Sequence, residues 1–225
     1  MLDGMQPDSY RLTGYGNLLW IAERNYFGFK ELNPELGIVD TKISKVLTDS
    51  ENPEEPDHPY YDLQIEAHKI EALRDEQGIT TIVFAALYLE ALIYDYAASM
   101  IGDAYTNEHL DKLDFVSKWI VIPRIVTSEQ PDKGQDWFRR LKQLSKARNG
   151  LVHMKSRRGM PISELSQYLV SAETELVENV ENAFLAMYDC PKKIGRLDPE
   201  NPFWRLIQQK PPSKPRSHNL GEMDD

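Results

Sequence analysis

ITTIVFAALYLEALIYDYAASM, residues 79–100, is apolar on almost every side. Its β-branched opening, Ile79 to Val83, has the composition of a strand. More than twenty residues then pass without a Gly, Pro or Asn to turn the chain, well beyond the length of an ordinary strand. A helix fits. A helix that is apolar all round is either the centre of a bundle or a membrane span. Glu90 and Asp95 interrupt this one, which argues for burial among other helices.

The flanking sequence supplies those helices. Leu63, Ala67, Ile70 and Leu73 recur near i, i+4, i+7 and predict a helix that Gly78 stops. Asn107 to about Ile122 predicts another, with Leu110, Leu113, Val116 and Ile120 on one stripe and Pro123 near its end. After Gly134 comes a helix with a Trp137, Leu141, Leu144 stripe and basic residues on its other face. A last helix starts at an N-cap Ser163, carries Leu165, Leu169, Ala172, Leu176, Val180, Ala183 and Met187, and ends before Pro191. Amphipathic helices joined by short loops bury their stripes most simply as an antiparallel bundle.

The expected fold is therefore all-α: an antiparallel helical bundle of four to five main helices with an irregular N-terminal extension. Residues 1–58 form the extension, where Gly14, Gly16, Gly28, Pro34 and Gly37 predict short helices. It closes on an exposed acidic linker, TDSENPEEPDHP, residues 48–59. Residues 59–190 form the bundle, and 191–225 a C-terminal segment whose proline-rich end, residues 210–225, reads as disordered.

The 225 residues carry a formal charge of −10, with 41% apolar and 28% charged residues. That balance suits an ordinary soluble globular protein and disfavours one that coats DNA or anionic lipid; no membrane partner is expected. The acidity is uneven. From Lys133 to Arg158 nine Lys/Arg face the single acid Asp136. Cys190 is the only cysteine, so no disulfide can form within the chain and no zinc finger can be built. MLDGMQPDSY at the N-terminus has neither a basic nor an apolar run of the secretory kind, and the expected location is the cytoplasm. His58 and His218 fall in loops, and His68 and His109 have no His or Cys at ligand spacing, so no metal is expected. No glycine-rich phosphate loop is visible and no cofactor is expected. Tyr94, Tyr96 and the Trp residues read as core rather than as base-stacking platforms.

Within the basic stretch LSKARNGLVHMKSRR, residues 144–158, stands Arg148-Asn149-Gly150-Leu151-Val152-His153. Two readings fit these residues. Asn-Gly is a common turn pair, and Arg148 is then a helix C-terminal residue favoured by the helix dipole, ahead of a Gly cap. In the other reading the six residues are a catalytic motif. They resemble the signature of the HEPN superfamily of compact helical bundles, many of them metal-independent RNases: an Arg, a polar residue that is often Asn, and a His a few residues on. The resemblance covers about residues 59–190. It implies a homodimer in which two motifs face each other across one cleft, and a role as a toxin or defence effector with a neutralising antitoxin partner. In some members an antitoxin modifies a tyrosine two residues after the His; here that position is Lys155.

The chemistry suits the residue types. RNA can be cut without metal when its own 2′-hydroxyl attacks the neighbouring phosphate, because the nucleophile is already held beside its target. His153 can pass a proton near neutrality, Arg148 can brace the charge that builds on the phosphate, and Asn149 can hold or orient it. On an ideal helix Arg148 and His153 lie about 140° apart, so a second subunit, a distortion at Gly150 or a swing of the arginine must bring them together. Glu90, an acid in an apolar helix, either pairs with Arg148 or orients His153, or lies on an exposed strip bridged to a lysine. Arg139, Arg140, Lys142, Lys146, Lys155, Arg157 and Arg158 are the expected contacts for single-stranded RNA or tRNA. The alternatives are a non-catalytic bundle of the same kind, binding RNA, a nucleotide or a protein partner, and a plain helical scaffold.

Overall fold

A computed structural model describes residues 14–49, 58–152, 161–205, 207 and 210–215. The acidic linker from 50 to 57 and the end of the tail from 216 lie outside the described residues. All regular structure among those described is helical: α1 Tyr15–Asp49, α2 Pro59–Ile101, the short α3 Asp103–Tyr105 with a π turn Thr106–Leu110, α4 Phe115–Thr127, α5 Asp136–Val152, α6 Ile162–Leu197 and the single turn α7 Pro202–Arg205. The helices pack side by side as an all-α bundle.

α2 is its axis. Ile82, Ala85, Ala86, Leu89, Leu92, Ile93 and Tyr96 are buried along it, enclosed by α1, α4, α5 and α6. Each large aliphatic side chain so buried contributes about 1.5–3 kcal/mol. By length and composition α2 could cross a membrane, and half of its most apolar window is buried inside the bundle. Contacts set the directions. Tyr15 meets Tyr88, and Gly28 lies opposite Gln77, so α1 and α2 run antiparallel. Gln143 donates to Asn179, and the Cys190 thiol to the Trp137 carbonyl, so α5 and α6 are antiparallel too. Gly78 faces Val180 and the Tyr96 hydroxyl donates to Asp198, so α2 and α6, distant in sequence, lie parallel.

Several boundaries differ from the expectation, each for a packing reason. From Tyr15 to Asp49 the N-terminal part is not a set of short helices but one 35-residue helix. Leu19, Ala22, Tyr26 and Phe29 before Pro34, and Val39 after it, are buried, and this holds the helix together across the proline. Gly28 lets α1 close on α2: a Cβ there would sit 2.3 Å from the Gln77 side chain. Gly78 does not stop a helix either. α2 runs through it, because the missing side chain admits Phe29 of α1 and Val180 of α6, 3.0 and 3.1 Å from where a Cβ would stand. The helix expected from Asn107 starts at Phe115, where the Asp114 carboxylate accepts the amide hydrogens of Val116 and Ser117. α6 follows Pro161, without a Ser163 cap, and continues through Pro191 to Leu197 because Cys190, Pro191 and Ile194 are all buried. The packed core thus reaches beyond 59–190 on both sides, to Leu19 and to Trp204 and Ile207.

The apolar stripe of α6 also outruns the body. From Val180 onward it is covered, but Leu165 and Leu169, on the same face, are exposed, and Tyr168, Val170 and Val177 beside them are exposed too.

Two glycine substitutions separate helix propensity from packing. Gly78→Leu should lose roughly 1–3 kcal/mol by overpacking. Gly37→Ala, where a Cβ meets nothing within 4 Å, should gain about 0.5–1 kcal/mol. Urea unfolding of both variants checks the pair.

Candidate functional site around Glu90 and Arg148

The stripe that buries α5 continues into the motif. Trp137, Leu141 and Leu144 face the core, and Arg148 follows Leu144 by one more turn on the same face. The arginine therefore turns inward towards α2, with 34% of its side chain exposed. There it meets Glu90: Nη2 stands 3.9 Å from Oε2 of the carboxylate, and Nη1 donates to Asn149 Oδ1 at 3.4 Å. The other oxygen of Glu90 is taken. Lys118 of α4 donates from Nζ to Glu90 Oε1 at 3.0 Å and to Asp111 Oδ1 at 2.9 Å.

Both readings of Glu90 describe part of what is found, since one carboxylate serves the lysine and the arginine together. The lysine is the buried member: its side chain is 4% exposed, against 32% for Glu90 and 49% for Asp111. Burial alone would pull its pKa down. The hydrogen bonds to Asp111 and Glu90 outweigh that and hold it above the ordinary lysine value, so Lys118 stays charged throughout the neutral range. A group with a raised folded pKa stabilises below its unfolded value of 10.5 and loses that contribution only as the pH climbs through the raised value. The cluster is thus two carboxylates and two cations in balance, one cation locked and one able to reach solvent.

Among the described residues, the remaining sequence-predicted ones do not form a single patch. Arg139, Lys142 and Lys146 fall on the solvent side of α5, roughly 120–180° round the helix from Arg148. Lys142 lies over the Phe138 ring, 5.2 Å from its centre, and Arg139 reaches back to Asp136 at 3.3 Å. Arg140 turns to α6, where its Nε lies 2.9 Å from Asp189 and its side chain is mostly covered. It joins two helices and is not open to a strand of RNA as its neighbours are. Asn149 is exposed. His153, Lys155, Arg157 and Arg158 lie outside the described residues. Gly150 is not a cap: α5 passes through it to Val152, and Gly102 is the only glycine with positive φ among the described residues. Arg148 to Val152 is therefore helix, and the turn reading of the Asn-Gly pair falls.

Lys118 and Asp111 escaped the reading of the sequence. The signal was there: a lysine in VSKWIVI is as anomalous as a glutamate in YLEALIY, and each is the other's explanation. Trp119, Trp137, Trp204 and Tyr96 are buried, as expected of core residues, whereas Trp20 and Tyr94 are only half-buried. Among the described residues no three His, Cys, Asp or Glu side chains gather as metal ligands would.

The two cations of the cluster should respond differently to removal. Lys118→Met leaves Glu90 and Asp111 without their shared partner and should lose about 1–3 kcal/mol in urea unfolding. Arg148→Ala, a partly exposed pair at long range, should lose less than about 1 kcal/mol. An Arg148→Ala loss as large as that of Lys118→Met would make Arg148 a structural residue. No family model, curated protein or solved structure matches the chain.

Proposed function

We propose that the chain is a metal-independent endoribonuclease of the HEPN type, acting as a homodimer in the cytoplasm. The observation that carries this reading is the placement of Arg148. It is the first residue of the motif, it sits on continuous helix, and it points to Glu90 at 3.9 Å while a third of its side chain stays open. A residue needed only for packing would not be a guanidinium left at 3.9 Å from its carboxylate beside a lysine that already occupies the better position.

In this mechanism the RNA 2′-hydroxyl attacks the adjacent phosphorus, and the 5′-oxygen of the next nucleotide leaves. The products are a 2′,3′-cyclic phosphate and a 5′-hydroxyl. His153 takes the proton from the attacking hydroxyl or gives one to the leaving oxygen, and the copy from the second subunit performs the other transfer. Arg148 braces the negative charge on the non-bridging oxygens, a kind of contribution that is commonly worth about 10²–10³ in rate. Glu90 keeps the guanidinium aimed, and Asn149 hydrogen-bonds the phosphate. Arg139, Lys142 and Lys146, with Lys155, Arg157 and Arg158, draw in the backbone of single-stranded RNA or tRNA.

The second subunit has a surface to use. Val152 at the end of α5 and Leu165, Tyr168, Leu169 and Val170 on α6 expose an apolar flank on either side of residues 153–160, with Val170 65% exposed. Two copies meeting there bring two motifs together and cover the uncovered stripe. Such an activity needs restraint in the cell, and a neutralising protein partner follows from the proposal. The rival is a non-catalytic RNA-binding bundle. What favours it is the same Glu90 contact, if the arginine serves only to close the helix packing.

Cleavage of single-stranded RNA with EDTA present decides between them. Wild type should yield cyclic-phosphate ends, and His153→Ala should retain fold and mass but lose about 10²–10⁴ in rate. Equal cutting by both, or RNA binding with no cutting by either, removes the nuclease reading. Leu169→Asp with Val170→Asp should give a monomer in sedimentation and the same loss of cleavage; a dimer that persists would place the subunit contact elsewhere.

A further inference from the structure

At the other end of α5 from Arg148 an open cleft of about 490 Å³ lies between the helix start and the last turns of α6. Its walls carry Gln135 just before α5, Asp136 at its start, and Asp189, Lys192, Lys193 and Arg196 from α6. The charges do not cancel inside it. Asp136 faces Arg139 at 3.3 Å and Asp189 faces Arg140 at 2.9 Å, so each carboxylate has a cation partner that does not line the cleft. Lys192, Lys193 and Arg196, three and four residues apart on one helix face, have no ion-pair or hydrogen-bond partner among the described residues. Lys192 and Lys193 are also half-buried, which removes part of the water that would otherwise screen them from one another.

In a chain with 36 acids against 26 bases, a cleft lined by only two carboxylates, each already facing an arginine, and by three cations that make no ion pair among the described residues is a local excess of positive charge against the trend of the whole. We propose that this cleft binds phosphate, and that the phosphate it takes is a backbone group of a single-stranded RNA. Cations continue beyond the cleft: past the Asp136–Arg139 pair, the exposed Lys142 and Lys146 follow along the solvent side of α5. A mononucleotide would occupy the cleft and leave that row unused, whereas a strand uses both. Twelve residues of helix, about 18 Å, separate the cleft from Arg148. A strand anchored in the cleft therefore reaches the motif only after several nucleotides, which makes the cleft an anchor remote from the cut. The choice of RNA rests on the nuclease reading, but the phosphate site does not.

The test uses the full chain and a fluorescent single strand of 2′-O-methyl RNA, about 20 nucleotides long, which binds but cannot be cut by its own 2′-oxygen. Triple substitution Lys192→Gln, Lys193→Gln, Arg196→Gln should weaken binding at least tenfold at low salt. It should also flatten the log–log salt dependence by about 2, near 0.7 for each phosphate that the protein no longer neutralises. The triple Lys192→Arg, Lys193→Arg, Arg196→Lys should retain both, and circular dichroism confirms that each variant is folded. Inorganic tripolyphosphate, titrated in parallel, separates the sources. Loss of its binding in the Gln variant with RNA binding unchanged would keep the phosphate site and replace the strand with a small phosphate ligand. RNA and tripolyphosphate affinities that are both unchanged in the folded Gln variant, or absent in wild type, overturn the proposal. Because no cleavage is read, failure of the nuclease reading leaves this result intact, and failure of the cleft leaves cleavage to be judged alone.

Discussion

Phe29 of α1 and Val180 of α6 both close on Gly78 of α2, so tightly that a Cβ there would stand 3.0–3.1 Å from them and force one to give way. That three-way approach couples the α1–α2 hairpin to the α5–α6 hairpin, because α6 brings α5 with it through Asn182 on the Arg140 carbonyl and Arg140 on Asp189. α2 must run unbroken through the glycine for this to work. Its unbroken course in turn fixes which way residues eleven and twelve positions later point. Leu89 faces the core, and Glu90, one step round, faces α4 and α5. The site inherits its geometry from a packing constraint more than three turns away.

Glu90 is where packing gives way to electrostatics. A carboxylate on an apolar axis requires compensation, and the bundle supplies it from two helices with unequal burial. Lys118, almost covered, joins α4 to α2 and to Asp111. Arg148, still partly solvated, has less holding it. The asymmetry is one of burial: the lysine is almost fully covered where α4 meets α2, and the arginine, on the penultimate turn of α5, keeps a third of its side chain in solvent. Chemistry that needs a cation both oriented and reachable has one here.

Charge is distributed with the same economy. Although the basic stretch from 133 to 158 reads as one block in sequence, helical periodicity and pairing divide its described members on α5 into a solvent-facing row, an inward arginine at Glu90 and an arginine facing Asp189. Committing Arg140 and Arg139 to acids near the start of α5 leaves Lys192, Lys193 and Arg196 uncompensated nearby. A block of like charge in a chain thus says little about which of its members a phosphate can touch.

The helical class, the central place of residues 79–100 and the buried stripe of Trp137, Leu141 and Leu144 were legible from residue order, since periodicity and the cost of exposing apolar surface are local properties. Arg148 and Glu90 were legible as unusual, and their pairing, like a bridge from Glu90 to a lysine, stood among the alternatives; that one carboxylate meets both cations was not legible. What could not be read from the chain was whether a glycine or proline ends a helix. Gly28, Gly78, Pro34 and Pro191 all have intrinsic preferences against helix interiors, and in each case partners distant in sequence override them. The same holds for the site. Lys118, Asp111 and Glu90 meet across as many as 28 positions, and the cations near residue 192 border a cleft opened by a helix that starts at residue 136. Residue order carries the periodicity that makes each helix. Which faces then meet is a matter of shape and charge between segments far apart, and that is settled only when the helices pack.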